Sequence, residues 1–272
     1  MRSLILLSFV VAVAVGNSMA HDLFLKLDSY FLRAEDKVSI ALLNGTFEKS
    51  ENTIDRDRIA DASIVVPGPK VIHPKPSQWR DEDAMTVLDL VTGQPGTYVV
   101  GVSTKLRRID LTAEEFTEYL EHDGVLDVLA ERKKTGASSD AAREKYSKHV
   151  KAVIQVGDQR TPTFEKRLGY PVEIVPLENP YGLHPGDSLR VRVYRDDRPL
   201  GDQLIYAGHD EAEHDHSHGS KVVQARTDDN GEAVIDLPVA GRWYVRLIHM
   251  ERVDDDEFDY ESNWATLTFQ IK

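Results

Sequence analysis

The chain has 272 residues, with 33 Lys and Arg against 46 Asp and Glu, and no cysteine. That length is enough for one large or two ordinary domains with real cores, and the lack of cysteine excludes a disulfide framework and any thiolate metal site. A formal charge of −13 argues against nucleic acid and anionic lipid as partners and is compatible with cations, although ordinary solubility accounts for most of it.

The first element is a leader. Arg2 precedes an apolar stretch from Leu4 to Val15, and Ser18-Met19-Ala20 is a small-x-small cleavage pattern. Residues 1–20 therefore read as a secretory signal peptide, cut between Ala20 and His21. The expected location is the periplasm or the cell exterior. No later apolar run approaches the ~18 residues a membrane span needs, so no span is expected once the leader is gone. Cleavage there makes His21 the first residue, with an α-amine and an imidazole on one residue. The α-amine has an ordinary pKa of ~8, so a metal ion can displace its proton near neutral pH.

Short β-type runs broken by turn residues follow. Leu23, Leu25 and Leu27 alternate with Phe24 and Lys26, and Val38 to Leu43 ends at Asn44-Gly45. Ala62 to Val66 stops at Pro67-Gly68-Pro69, Met85 to Val91 leads into Gln94-Pro95-Gly96, and Thr97 to Val102 reads as a strand. At Thr112-Ala113-Glu114-Glu115 the pattern switches to a helix start, with Thr112 and Glu115 placed as a capping box. Phe116, Tyr119 and Leu120 follow at helical spacing. Helical pieces are then expected over 125–134 and from Ser139 through Arg143, Tyr146 and Val150, making an insertion at about 112–152.

From Pro171 the β pattern returns. Leu189, Val191 and Val193 alternate with polar partners, and residues 203–207 and 221–225 read as a strand pair. Asn230-Gly231 supplies a tight reversal, and Arg242 to Met250 is the clearest strand. The expected fold is mainly β. It has two antiparallel β-sandwich domains of immunoglobulin or transthyretin-like type, at 21–170 (carrying the helical insertion) and at 171–272.

Residues with metal-ligand chemistry form two groups. The first pairs His21 with a histidine from elsewhere, as in copper sites built on a terminal histidine. The best partner is His249, in phase with Trp243, Val245 and Leu247 at the end of a strand, with Glu251 two residues on along the same face. The second is Gly208 to Gly219, which holds His209, His214, His216 and His218 among four carboxylates. No core can be built from it, so it reads as an exposed loop. Imidazole with carboxylate suits Zn, Ni, Co or Cu. His149 is a further candidate. The chain has no nucleotide-binding glycine loop, no Gly-x-Ser-x-Gly elbow and no His-Glu-x-x-His.

Gly186-Asp187-Ser188-Leu189, Thr227 to Gly231 and Gly241-Arg242-Trp243-Tyr244-Val245 resemble transthyretin-like and collagen-adhesin B-type sandwiches. Ala20 to Phe24, Glu115 to Leu120, Arg143 to Lys151, Gly169 to Pro176, Ile248-His249-Met250 and Glu261 to Phe269 together resemble the family called domain of unknown function 4198. That resemblance implies an exported protein and, from some members, a link to nickel or cobalt uptake. It gives His149 standing as a third ligand. The expected function is a non-enzymatic, exported protein that binds a divalent transition metal (nickel or cobalt by resemblance, copper by terminal-histidine chemistry) for uptake or delivery, with a membrane metal transporter as partner. The competing expectation is a non-catalytic carbohydrate- or peptide-binding or adhesion sandwich with incidental metal affinity. A copper-dependent oxidative enzyme is a third.

Overall fold

The computed structural model describes residues 21–68, 70–210 and 222–272. The fold is mainly β and its sheets form sandwiches, as the alternating runs imply. The organising layer is a ten-stranded sheet. Its middle holds a fifteen-residue strand, Ala142–Val156, called here the central strand. The last strand, Tyr260–Ile271, runs parallel to it, from Glu144 opposite Tyr260 to Ala152 opposite Thr268. Beyond the last strand lies the penultimate strand, Gly241–Arg252, paired antiparallel along its whole length, with His249 opposite Asn263. Leu204–His209 and Val223–Arg226 complete that side. On the other side Gly96–Thr104, Ile59–Val66 and Lys70–Ile72 continue the sheet.

Two smaller sheets cover this layer. One contains the first strand, Asp22–Lys26, paired to Lys37–Gly45, which also pairs Met85–Val91. The other contains Val172–Pro176, Ser188–Arg195 and Glu232–Asp236. One continuous apolar cluster runs through all three layers, from Leu23 and Leu25 through Val150 and Ile154 to Ile174, Val193 and Leu267. The boundary expected between residues 170 and 171 falls just before Val172–Pro176. The hydrogen-bonded sheet and the core continue across it.

The helical insertion is shorter than the sequence implies. Two helices form, α1 (Ala113–His122) and α2 (Leu126–Thr135). Thr112 and Glu115 close the expected capping box on α1, and Gly136, at φ +77°, ends α2 in the left-handed conformation a glycine adopts without a Cβ clash. The third helical piece is a correction: residues 142–156 are the central strand. Arg143, Tyr146 and Val150 do recur at helical spacing. A strand covered on both faces, however, has no polar side to alternate, so its periodicity is lost. Phe116, Tyr119 and Leu120 pack instead on Ile248, Tyr260 and Trp264, on the same face of the large sheet as the first strand. No helix among the described residues is long and apolar enough to cross a membrane.

Candidate site at the start of the first strand

The first strand is fastened to the large sheet through its main chain. Thr266 and Thr268 on the last strand donate their hydroxyls to the carbonyls of Leu23 and Leu25, at 2.9 and 2.7 Å. Side chains add to this. Phe24 packs edge-on against Phe47 and Tyr244, with centroids 5.4 and 5.3 Å apart, and Asp22 meets Arg246 at 3.3 Å. These contacts fix where residue 21 lies. The His21 carbonyl accepts a short hydrogen bond from the Lys148 ammonium, which also reaches Asn44 Oδ1 at 3.4 Å. The His21 ring turns outward, 28% exposed, and its Nε2 lies 2.9 Å from Glu51 Oε2.

Beneath this residue is a nest of buried ionisable groups from three elements. Glu144 is fully buried, and its Oε1 accepts from Tyr119 at 3.2 Å and, over a shorter distance, from Ser262. Burial pushes the Glu144 carboxyl up to about 7. Asp123, at the end of α1, is pushed up to about 6 by burial and by the Asp22 carboxylate. Glu144 Oε2 and Asp123 Oδ2 have no hydrogen-bond partner among the described residues. Burial brings the Lys148 ammonium down to about 8, and it lies 5.0 Å from the Trp264 ring centre, which stacks on Tyr119. Three groups that titrate near neutrality thus underlie the residue expected to become the mature terminus, an unusual concentration for a purely structural spot.

The other histidines lie elsewhere. His249 shares the face of Trp243, Val245 and Leu247, whereas Arg246 and Tyr244, which hold the first strand, point to the opposite face. His21 and His249 are therefore separated by the sheet. The expected pairing is corrected by the same alternation that suggested an inward-facing His249, because the first strand covers the other side. His249 Nδ1 bonds Gln203 at 3.0 Å. Glu251 lies 3.9 Å from Nε2 but pairs with Arg195 at 2.8 Å.

His149 also lies on the far face. Both its ring nitrogens are engaged, Nδ1 by Ser103 at 2.9 Å and Nε2 by Ser147 and Asn263 at 3.1 Å each. Burial brings it down to about 4, so it is a neutral core group. His209 packs on Trp243 with centroids 4.7 Å apart. His214, His216 and His218 lie outside the described residues. Among the described residues, no three His, Asp or Glu side chains form a metal-binding group.

Sequence reasoning missed Glu51, Lys148, Glu144 and Asp123. Only Lys148 and Glu144 had a signal, as charged residues inside the matched segment from Arg143 to Lys151. Glu51 is one of many carboxylates in an acidic chain.

No curated protein matches the chain. Among solved structures it is similar to the D0–D1 domains of intimin, at 12% identity and a TM-score of 0.23, covering 92% of this chain and 98% of that one. It is also similar to trypsin-activated alpha-2-macroglobulin from Escherichia coli, at 11% identity and a TM-score of 0.25, covering 92% of this chain and 16% of the other. A DUF4785 family protein from Legionella pneumophila is similar at 10% identity and a TM-score of 0.24, over 82% of this chain and 51% of that one. The family described as Domain of unknown function (DUF4198) matches residues 18–251, and the chain belongs to it.

Proposed function

We propose that the chain is an exported protein that binds a divalent transition metal at a mature terminus beginning with His21 and delivers it to a membrane transporter. One observation carries the reading: the 2.9 Å contact between His21 Nε2 and Glu51 Oε2. A carboxylate accepting from Nε2–H fixes the tautomer that leaves the lone pair on Nδ1. Nδ1 is the ring nitrogen that closes a six-membered chelate with the α-amine of the same residue. Two nitrogen donors suit copper(II) and nickel(II) best among the first-row ions, with cobalt and zinc behind.

Glu51 thus replaces His249 as the proposed partner of His21, in an orienting role. Further donors come from solvent or from a partner protein. The histidines between 209 and 218 are proposed on composition alone as a looser collecting surface.

The test uses protein processed to begin at His21 and titrated with Cu²⁺ and Ni²⁺. One tight equivalent is expected. A chain with a glycine added before His21 loses that equivalent, and Glu51→Gln weakens it about tenfold or more. Equal affinity of the extended and processed chains refutes the terminal site. If replacing His214, His216 and His218 then removes all binding, the adhesion reading takes its place.

A further inference from the structure

The large sheet buries two lysines, three residues apart on the central strand, and they are compensated differently. Lys151 meets Glu173 at 2.9 Å on the far face. That carboxylate also accepts from the backbone N–H groups of Leu168, Gly169 and Tyr170, so both charges are matched inside the fold. Lys148 is 2% exposed, and no carboxylate lies within ion-pair distance of it among the described residues. Its hydrogen-bond acceptors there are two neutral oxygens, the His21 carbonyl and the Asn44 amide. The ammonium itself lies 5.0 Å from the Trp264 ring centre and 5.8 Å from that of Tyr146, within cation–π range of both.

The Asp22, Asp123 and Glu144 carboxylates favour the Lys148 charge from beyond hydrogen-bond reach, yet its own hydrogen bonds go to neutral acceptors, and a neutral donor would serve a purely structural bond to a carbonyl. What the ammonium adds is a fork of donors between residue 21 and residue 44. Residue 21 immediately precedes the first strand and residue 44 lies on the strand paired with it, next to the first cross-strand pair, Asp22 with Gly45. Chain ends fray unless something ties them down, and a chelate on a frayed end must order that residue when the metal binds.

We infer that Lys148 is the positioning residue of the terminal metal site, holding the first peptide group of the mature chain so that amine and imidazole are presented together. This rests on the reading of His21 as the terminal ligand. Ordering one residue's backbone accounts for roughly a tenfold change in affinity.

The experiment is Cu²⁺ competition titration with electron paramagnetic resonance, on the full chain processed to begin at His21. His214, His216 and His218 are replaced by glutamine in every sample. Lys148→Met should bind copper about tenfold more weakly and give a broadened, heterogeneous spectrum. Lys148→Arg, which keeps a buried cationic donor, should restore both. Should Lys148→Met fail to fold, Lys148→Gln is judged by the same criteria.

Unchanged affinity and spectrum in the neutral variant overturn the inference. The terminal-site reading still stands in that case, provided the glycine-extended chain has lost its tight equivalent. If the extended chain binds as well as the processed one, both fall. A loss that Lys148→Arg does not rescue also overturns the positioning role and leaves Lys148 with a packing role only.

Discussion

Glu144 and His149 sit five residues apart on one strand, on opposite faces of the sheet, and their pH dependences oppose each other. Glu144 is raised to about 7 from an ordinary 4.5, so the stability it contributes is full at acid pH and is lost as pH rises through 7. Asp123, raised to about 6, adds in the same direction. His149 is brought down from 6.5 to about 4, so its contribution is full above 6.5 and is lost as pH falls through 4. Each of the two strand groups is worth on the order of 3 kcal/mol across its window. The Glu144 and His149 contributions offset each other between pH 4.5 and 6.5, so wild-type stability should fall across that range by the Asp123 share, on the order of 2 kcal/mol. Glu144→Gln should unmask the histidine and remove that fall. His149→Gln should steepen it. Urea melts at pH 4.5 and 7 decide, and a His149→Gln variant with the same pH dependence as the wild type would show that His149 is not the buried neutral group described. Little of this was legible in the sequence. A carboxylate in a chain with 46 acidic residues carries no mark of burial, and His149 drew attention as a ligand because its hydrogen-bond partners, Ser103 and Asn263, are 46 and 114 residues away.

At the scale of elements, turns and caps were readable because their causes are local. Thr112 with Glu115 acts within a few residues and forms where expected. A turn also forms at Asn230-Gly231, although the strands it joins belong to different sheets and do not make the hairpin that dipeptide suggests. The central strand was not readable, because what decides it is distant: two faces covered by chain from opposite ends of the sequence. Its polar residues find partners one at a time, Lys151 in Glu173, Ser147 in Asn263 and Glu144, through one oxygen only, in Ser262. The helical pair belongs to the same face as the candidate site. Phe116 packs at a tilt against Tyr260 and under the Arg132 guanidinium, while Tyr119 lies parallel to Trp264. Thr112→Ala should remove the cap at a cost of about 1 kcal/mol. The loss should be local, so hydrogen exchange in the first turn of α1 should speed up while amides of the central strand stay protected. Uniform acceleration throughout would mean that the helices are integral to the main cooperative unit and not a cover laid on it.

The molecule as a whole is governed by the parallel pairing of the central and last strands. Composition and turn spacing suggest two sandwiches joined near residue 170, and each half does contribute its own small covering sheet. The central layer belongs to both. If residues 171–272 were cut free, the last strand would lose its partner from Glu144 to Ala152 and expose a long edge with Trp264, Leu267 and Phe269 beside it. Such an edge invites association with other chains. The halves are accordingly expected to fail as separate domains and the full chain to unfold in one step. The tryptophans make this measurable. Trp79 lies on the small sheet that contains the first strand, whereas Trp243 and Trp264 lie on the last two strands. Fluorescence of a Trp79→Phe variant therefore reports one half, and fluorescence of a Trp243→Phe/Trp264→Phe variant the other. Coincident urea midpoints, matched by far-ultraviolet circular dichroism, are the expected result. Two separated transitions, or a stable monomeric fragment 171–272, would mean that the shared sheet is a docking contact between independent domains. The first strand, and the candidate site at its head, would then depend on that contact remaining closed.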